Sequence, residues 1–330
     1  MLYALRIELM KIRQRENNIR MDFSKQAKEL IQSQIGEWDL AAKNYGSLKK
    51  IKVKTFDFGD YRIDIQFNPE RIISSAAKVD TKSIEARPCF LCQKNLPSQQ
   101  RWLFFEDEYL ILVNPFPIFP EHLTIPFISH TDQRIFGNFG RMLDLAAKLD
   151  DFVIFYNGSK CGASAPDHLH FQAGNKGFLS IEVDFLTGNC CHKVRQISSV
   201  TISHWPFYQR GIITLSGNNK VELNDCFNKI YCKLQVLQPN EIEPMLNILA
   251  TFKNGEWTIH IIPRSLHRPT QYFESGDKQI LLSPASVDMG GVLITPREED
   301  FNKISVADVK AIFRQVCFEP QAVLMFINQL

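Results

Sequence analysis

Two histidines and a glutamine alternate with apolar residues in the stretch His168-Leu169-His170-Phe171-Gln172. Such alternation is typical of a half-buried strand, in which successive side chains point to opposite faces. The two imidazoles and the carboxamide are therefore predicted to share one face, with Leu169 and Phe171 packed on the other. A face of this kind, beside a small loop that contains glycine, suits the binding of a phosphate group and nucleophilic attack on it.

The loop that precedes this stretch has the composition of an anion-binding loop. It runs from Asn157 to Ser164 and follows residues 152–156, five apolar residues that predict a buried strand. Its glycines allow a close approach of the backbone, and successive free N–H groups form a cradle for phosphate oxygens. The candidate phosphate-binding residues are Asn157, Gly162, Ala163 and Ser164.

A Cys-x-x-Cys motif, Cys89-Phe90-Leu91-Cys92, lies upstream of the loop. Two thiolates at this spacing can bind one metal ion, and His130 and His168 offer two further ligands. The residues that follow, from Gln93 to Pro97, indicate a knuckle rather than the helix start that a thioredoxin-like redox pair would need. From the residues alone, two reduced cysteines packed in the core remain an open alternative.

The elements that position these residues are predicted from apolar periodicity and turn residues. They are a helix over residues 24–34, a hairpin of strands 51–57 and 61–67, a polar loop over 71–87, strands over 109–113 and 123–125, a helix over 132–149 capped by Thr131, and a helix over 242–252 ended by Asn254-Gly255. The string Glu121-His122-Leu123-Thr124-Ile125-Pro126 followed by His130 is echoed by residues 259–264 followed by His267, which indicates an internal repeat.

Composition and charge are those of an ordinary folded protein. The chain has 330 residues, of which 45% are hydrophobic and 22% charged, and its net charge of +2 gives no electrostatic basis for binding nucleic acid. Eight scattered cysteines predict a reducing, cytoplasmic setting rather than a secreted disulfide framework. No apolar run reaches the roughly 18 residues of a membrane span, and residues 1–20 do not form a signal peptide.

The triplet and its loop resemble the transferase branch of the histidine-triad superfamily, which includes galactose-1-phosphate uridylyltransferases, diadenosine tetraphosphate phosphorylases and GDP-hexose phosphorylases. The resemblance rests on the Asn-Gly start, the Gly-x-Ser string and the wording His-Leu-His-Phe-Gln-Ala, which is most similar to the GDP-hexose phosphorylases. It implies an α+β fold of two histidine-triad-like halves, each an antiparallel sheet with helices packed on it. The expected divisions are an extension with a helix over 1–50, a catalytic half over 51–188 and a non-catalytic half over 189–330.

The same resemblance assigns roles to the reactive residues. His170 is implied to be the nucleophile that takes a nucleoside monophosphate as a covalent phosphoramidate. Hydrolases of the superfamily carry histidine where this chain has Gln172, and a neutral amide cannot supply a proton as an imidazolium can. Gln172 is therefore expected to favour transfer over hydrolysis. Together with the loop that ends at Ser164, it would hold the non-bridging oxygens as charge builds.

Further ligand contacts follow from the resemblance alone. Asn114, in Asn114-Pro-Phe-Pro, is implied to lie at the ribose or base, the alternative being a rigid turn. Some relatives hold a structural zinc ion through a cysteine pair and two histidines, which here are Cys89, Cys92, His130 and His168.

Positive charge near the site is expected from side chains in two separate segments. Arg71, Lys78 and Arg87 precede or flank the knuckle and are candidates to neutralise phosphate, the alternative being solvated surface charges. In the second half Arg264, His267 and Arg268 are predicted from the repeat to reach the acceptor.

The expected partners are a nucleotide-sugar or dinucleotide and a phosphate or sugar-phosphate acceptor, with no nucleic acid and no membrane, bound by a monomer or homodimer. The resemblance favours a guanine nucleotide, with adenine as the alternative base. A diadenosine polyphosphate phosphorylase, a histidine-triad phosphohydrolase and a non-catalytic nucleotide-binding protein remain as alternative functions.

Overall fold

Thirteen strands are found among the described residues of the computed structural model, which are 22–72 and 80–330. They form one sheet of ten strands and one of three. In chain order the strands are β1 (Lys52–Asp57), β2 (Arg62–Phe67), β3 (Trp102–Phe105), β4 (Tyr109–Val113), β5 (His122–Pro126), β6 (Phe152–Asn157), β7 (His170–Asn175), β8 (His192–Ile197), β9 (Val200–His204), β10 (Ile213–Gly217), β11 (Leu246–Lys253), β12 (Glu256–Pro263) and β13 (Val292–Thr295).

Helices cover both faces of the large sheet. Those in the described part of the chain are α1 (Phe23–Glu37), α2 (Asp39–Ser47), α3 (Thr81–Glu85), α4 (Phe139–Lys148), α5 (Ser180–Thr187), α6 (Lys220–Leu237), α7 (Thr270–Phe273), α8 (Ser286–Met289), α9 (Glu298–Lys303), α10 (Val306–Val316) and α11 (Pro320–Asn328). Among these residues no helix combines the length and apolar character needed to cross a bilayer.

The ten-stranded sheet has the order β3-β4-β5-β7-β6-β11-β12-β10-β9-β8, and its neighbouring strands all pair antiparallel. This order is symmetric about the β6–β11 pair, where Phe155 lies opposite Leu249. A unit of three strands, a helix and two strands is thus repeated, with α4 in the first copy and α6 in the second. The α+β class with two antiparallel halves is confirmed, and the halves join edge to edge in one sheet.

The structural repeat pairs different strands from those suggested by the similar strings at 121–126 and 259–264. On the symmetric order, β5 corresponds to β10, whereas β12, which carries His260, corresponds to β7. Gln172 lies opposite Phe155, and His260 lies opposite Leu249, so His260 takes the place of Gln172 rather than that of His122. Two residues earlier on the same strands stand His170 and Thr258. The match of residues 121–126 to 259–264 was therefore wrong, although the repeat itself exists.

Each face of the large sheet packs against its own hydrophobic core. On one face α1, α2, α4, α6 and α11 cover the strands, and the rings of Phe139 and Phe227 stack with centroids 3.9 Å apart between α4 and α6. On the other face lie the three-stranded sheet and helix α10, with Ile63, Leu293 and Ile312 in the core. Strand β13 pairs parallel with β2, so the hairpin of strands 51–57 and 61–67, which is confirmed, is completed by a strand from the last part of the chain.

Two predicted helices are shorter than expected or absent. The helix predicted over 132–149 begins only at Phe139, because Gly137 has φ +79° and polar groups of residues 133–135 bond to other parts of the molecule. The helix predicted over 242–252 was wrong: β11 and β12 form a hairpin there. Asn254 and Gly255 both have positive φ, the conformation of a tight hairpin turn. A continuous apolar run fits a buried strand as well as a helix, so periodicity alone could not separate them.

Three other predictions are adjusted at their edges. The first helix extends beyond 24–34 to Phe23–Glu37, with the Asp22 carboxylate as its N-cap. The segment 71–87, predicted as a loop, contains the short helix α3. Lys78 lies outside the described residues.

Candidate active site

A cavity of about 630 Å³ lies where the C-terminal part of β4, the start of β7 and the loop after β6 meet. It brings together the predicted catalytic and nucleotide-binding residues that the structure describes, and also four of the predicted basic-site residues. From the predicted set, its lining includes His170, Gln172, Ser164, Asn114, Asn157, Gly162, Ala163, Arg71, Arg87, His267 and Arg268.

The position of His170 is fixed by hydrogen bonds to its backbone. Its N–H donates to Oε1 of Gln133 at 2.8 Å, and its carbonyl oxygen accepts from Nε2 of the same carboxamide at 3.0 Å. That Nε2 also donates to the carbonyl oxygen of Asn157 at 2.9 Å. Gln133 is fully buried and stands in the loop before α4. One side chain therefore joins the strand of the predicted nucleophile to the end of β6.

The imidazole of His170 is held in the tautomer that a nucleophile needs. Its Nδ1 lies 2.8 Å from the carbonyl oxygen of His168, which can only accept, so Nδ1 carries the proton. Burial lowers the pKa of His170 to about 4, and the ring is neutral at pH 7. Its Nε2 consequently keeps a free lone pair at the cavity.

Gln172 is oriented by His122, a residue that the sequence analysis used only as part of the repeat. The backbone N–H of Ile118 donates to Nδ1 of His122 at 3.1 Å, so the proton of this neutral ring is on Nε2. That Nε2–H donates to Oε1 of Gln172 at 3.1 Å, and Nδ2 of Asn114 approaches the same oxygen at 3.4 Å. The amide NH₂ of Gln172 is therefore the end left to donate to a ligand in the cavity.

Asn157, a predicted phosphate-binding residue, is anchored by the second half of the chain. Its Oδ1 accepts hydrogen bonds from Nδ2 of Asn247 at 3.0 Å and from the N–H of Ser286 at 2.8 Å. Both acceptor bonds fix the amide, so its NH₂ group is the end that can serve a ligand. Asn247 in turn accepts from Nη1 of Arg264 at 2.6 Å.

Arg264 supports the loops instead of reaching an acceptor. It is fully buried, and its guanidinium donates to Asn247 and to the carbonyl oxygens of residues 266, 267, 284 and 316. The prediction that Arg264 contacts the acceptor was wrong for this reason. His267 and Arg268 do line the cavity, and Nε of Arg268 donates to Oγ of Ser283 at 2.9 Å.

The segment from Ser283 to Gly291 forms a wall of the site. Gly162 has φ +95°, and a Cβ at this position would lie 2.5 Å from Cβ of Ala285. Only glycine fits both the left-handed backbone and the contact. The predicted phosphate-binding loop therefore packs closely against Ala285, from the second half of the chain.

Arg71 and Arg87 bring positive charge to the cavity in addition to that of Arg268. Nη2 of Arg87 donates to the carbonyl oxygen of Ser164 at 3.0 Å, and the guanidinium stacks over the ring of Phe90. Nη1 of Arg71 donates to the carbonyl oxygen of Phe116 at 2.8 Å. Burial lowers the pKa of Arg71 to about 10, so it remains a cation at neutral pH.

The four predicted metal ligands form one cluster. The ligand atoms of Cys89, Cys92, His130 and His168 all lie within 4.8 Å of one another. Nδ1 of His168 is 3.3 Å from Sγ of Cys89 and 3.2 Å from Nδ1 of His130, which is 3.3 Å from Sγ of Cys92. Two thiolates and two imidazoles at such separations suit a tetrahedral metal ion.

His168 does not share the face of His170 and Gln172 as predicted. Strand β7 begins at His170, and His168 lies in the turn before it. Its Nε2 lies 2.7 Å from the carbonyl oxygen of Phe127 and so carries the proton, which turns the Nδ1 lone pair toward the cysteines. The departure from strand geometry is what lets His168 join the metal cluster while His170 faces the cavity.

Two families of sequences match the chain, one in each half. Residues 30–175 match a domain of unknown function, DUF4922, and residues 186–322 match the GDPGP1-like, C-terminal domain. The crystal structure of yeast Ap4A phosphorylase Apa2 aligns with a TM-score of 0.60 at 16% identity, covering 86% of this chain and 97% of that one. The chain therefore shares its fold with this yeast enzyme over most of its length.

Other comparisons agree on the fold. The structure of yeast Ap4A phosphorylase Apa2 in complex with Ap4A aligns with a TM-score of 0.55 and 16% identity, covering 88% of this chain and 97% of that chain. The complex with AMP gives 0.52 over the same shares. No curated protein matches the chain in sequence.

Several residues of the candidate site were not predicted from the sequence. Gln133, His122, Asn247 and Ser286 contact predicted site residues, but none of them was predicted to lie at the site, and His122 was noted only in the internal repeat. His122 and Gln133 lie close to the Ile-Pro strand and His130, so proximity to a predicted metal ligand was the available signal. Asn247 and Ser286 come from the second half, and nothing in their local sequence indicates that they approach Asn157.

Proposed function

We propose that the protein is a phosphorylase-type nucleotidyltransferase that works through a covalent nucleotidyl-histidine on His170. The hydrogen bond from Nδ1 of this residue to the carbonyl of His168, which leaves Nε2 for the cavity, is the observation that carries the proposal. In the first step a bond forms between Nε2 and the α-phosphorus, and the bond from phosphorus to the bridging oxygen breaks. The leaving group departs as a sugar phosphate or a nucleotide.

In the second step an acceptor attacks the same phosphorus and releases His170. With inorganic phosphate as acceptor and a GDP-hexose as donor, the products are hexose 1-phosphate and GDP. The NH₂ groups of Gln172 and Asn157 and the backbone of the loop 162–164 would hold the non-bridging oxygens. Arg71 and Arg87 would offset the phosphate charge.

A nucleoside diphosphate hexose with guanine is our favoured donor. The GDPGP1-like domain over residues 186–322 and the wording His-Leu-His-Phe-Gln-Ala support this choice. A dinucleoside polyphosphate is the second candidate, supported by the fold of an Ap4A phosphorylase that binds Ap4A and AMP. The acceptor site would include His267 and Arg268.

We also propose that the cluster of Cys89, Cys92, His130 and His168 holds a structural zinc ion. The donor set and the separations of its atoms fit zinc. All four places are filled by protein ligands, so the ion would hold the knuckle and the turn before β7 together and take no part in bond breaking. The catalytic half is proposed to span residues 51–188, with the protein in the cytoplasm as a monomer or homodimer.

The test is incubation with NDP-sugars and dinucleoside polyphosphates labelled at the α-phosphate. We expect label on the protein that is stable to denaturation, lost in mild acid and chased by phosphate or sugar phosphate into a nucleotide product. Release of nucleoside monophosphate without an acceptor effect would instead favour the hydrolase. Absence of labelling and of turnover with every donor would favour a binding protein.

A further inference from the structure

We infer that Gln100 is a specificity-determining residue that accepts a hydrogen bond from the exocyclic amino group of the nucleobase, and that helices α1 and α2 present it. The inference rests on the proposed function, because it names the base of the nucleotide that binds beside His170. Residues 22–50 had no expected part in the chemistry, yet Trp38 and Leu40 line the cavity.

The contacts between cavity residues indicate the direction in which a nucleotide lies. Gln172, beside the nucleophile, accepts from Nδ2 of Asn114 at 3.4 Å. One residue before Asn114, the carbonyl oxygen of Val113 accepts from Nε2 of Gln100 at 3.0 Å. A line of contacts thus runs from the α-phosphate position past Asn114 to Gln100. Because the ribose separates the α-phosphate from the base, the base lies at the end of this line away from His170, at Gln100.

The end of the cavity at Gln100 suits a nucleobase. Its lining is mostly apolar, as the flat faces of a nucleobase require. The side chains concerned are Trp38, Leu40, Leu96, Pro97 and Leu112. Gln100 brings a carboxamide into this apolar wall, and a lone amide in such surroundings is a source of specificity.

The carboxamide of Gln100 is oriented with its oxygen toward the ligand. A backbone carbonyl can only accept, so the NH₂ group of Gln100 must face Val113. Its Oε1 is then the atom available to a ligand. An amide oxygen pairs well with an exocyclic amino group, whereas an exocyclic carbonyl at the same place would leave two acceptors in contact. Guanine and adenine carry such an amino group and uracil does not.

Hydrogen bonds hold the backbone on both sides of Gln100 in place. The carboxamide of Gln34 in α1 bonds to the two residues that flank Gln100 in the chain. Its Nε2 donates to the carbonyl of Gln99 at 3.1 Å, and its Oε1 accepts from the N–H of Arg101 at 2.8 Å. The N–H of Gln100 itself donates to the carbonyl of Pro97 at 3.0 Å. Gln34 is fully buried. Helix α1 therefore fixes the backbone from which Gln100 projects.

Helix α2 holds the opposite side of the same region. Nδ2 of Asn44 donates to the carbonyl of Pro115 at 2.7 Å, and the hydroxyl of Tyr45 donates to the carbonyl of His122 at 3.0 Å. Buried side chains of the helix pair thus fix the loop that starts at Asn114 as well as the segment 99–101. The two helices act as a frame for the base end of the site.

The experiment is equilibrium titration of the full chain with GMP, AMP and UMP, which needs no covalent chemistry. We expect wild-type protein to bind GMP or AMP at least about tenfold more tightly than UMP, the value of one hydrogen bond of about 1.4 kcal/mol. In Gln100→Met, which keeps the length of the side chain, the preference should fall to within about threefold. Gln315→Met removes a carboxamide away from the cavity and should keep the wild-type preference.

A second variant guards against misfolding of the first. Leu40 is 38% exposed, so Leu40→Ala should fold, weaken all three nucleotides by similar factors and keep the preference. Equal binding of UMP in wild type, an unchanged preference in Gln100→Met, or unchanged affinities in Leu40→Ala would each overturn the inference. Labelling of His170 without a base preference would keep the proposed function and refute the inference. A base preference without labelling would do the reverse.

Discussion

The carbonyl oxygen of His168 accepts a hydrogen bond from Nδ1 of His170 at 2.8 Å. His168 is also a member of the metal cluster, through its own Nδ1. One residue thus connects the proposed zinc site to the proposed nucleophile, with the proton of His170 placed by a backbone group rather than by a carboxylate. Order in the metal cluster is therefore expected to affect the tautomer of His170.

Replacement of His170 is the most direct test of the nucleophile. His170→Ala should abolish covalent labelling and lower transfer by at least about 10³-fold, since no other lone pair occupies its place. The far-ultraviolet circular dichroism spectrum should be unchanged. His192→Ala, at an exposed position on β8, serves as the control and should label normally. Labelling of His170→Ala at the wild-type rate would show that another group attacks.

We expect the choice between transfer and hydrolysis to depend on Gln172. Its oxygen accepts from His122, which leaves the amide to hold phosphate oxygens without supplying a proton. Gln172→His should therefore raise the ratio of monophosphate released by water to diphosphate formed with phosphate. The ratio is measured by chromatography with and without phosphate. Wild-type protein that releases mainly monophosphate and ignores phosphate would exclude the phosphorylase.

The parts of the site that could be predicted are those held within one short segment. The triplet, the phosphate loop and the Cys-x-x-Cys motif have residue types whose chemistry is evident at fixed spacing. The two halves of the chain meet at β6 and β11, and this long-range pairing carries Asn247 and Ser286 to Asn157. Spacing along the chain contains no information about such contacts. The strand β11 was misjudged because burial on both faces removes its alternation.

Gln133 is expected to act as a positioning residue, because its carboxamide bonds to both backbone groups of His170. Gln133→Met should slow single-turnover labelling at saturating donor by roughly 10- to 100-fold, with little change in the Kd of GMP or AMP. A loss of about 1–3 kcal/mol in stability should accompany it, from the buried groups left without partners. Gln315→Met controls for loss of an amide. Equal losses in affinity and rate would indicate a general structural role instead.

Metal content tests the cluster at Cys89. Purified protein should contain about one zinc ion per chain, and Cys89→Ser should lose it and unfold at a lower temperature. Because His168 joins the cluster to His170, the variant should also label more slowly. Cys232→Ser, at an exposed cysteine, should keep zinc and stability. Metal-free wild-type protein with the same stability would leave Cys89 and Cys92 as packed thiols.

The buried carboxyl of Glu243 predicts a pH dependence of stability. It belongs to the segment before β11, accepts from the hydroxyl of Tyr156 at 2.6 Å and from the N–H of Ile135, and is only 5% exposed. Burial raises its pKa from 4.5 to about 7, and its hydrogen bonds offset only part of this rise. In the window between these values the unfolded chain has lost the proton that the folded chain retains.

Stability from Glu243 should therefore be complete below about pH 4.5 and decline as the pH rises through 7, by up to about 3 kcal/mol. Glu243→Gln cannot titrate, so its free energy of unfolding should decline less over this range. The measurement is denaturant unfolding of both proteins at pH 5 and 7.5. The pKa of Asp288 is also raised, to about 6, and its contribution cancels in the difference between the two proteins. Parallel pH profiles would show that Glu243 is already ionised in the folded protein, with the bonds to Tyr156 and Ile135 compensating fully for its burial.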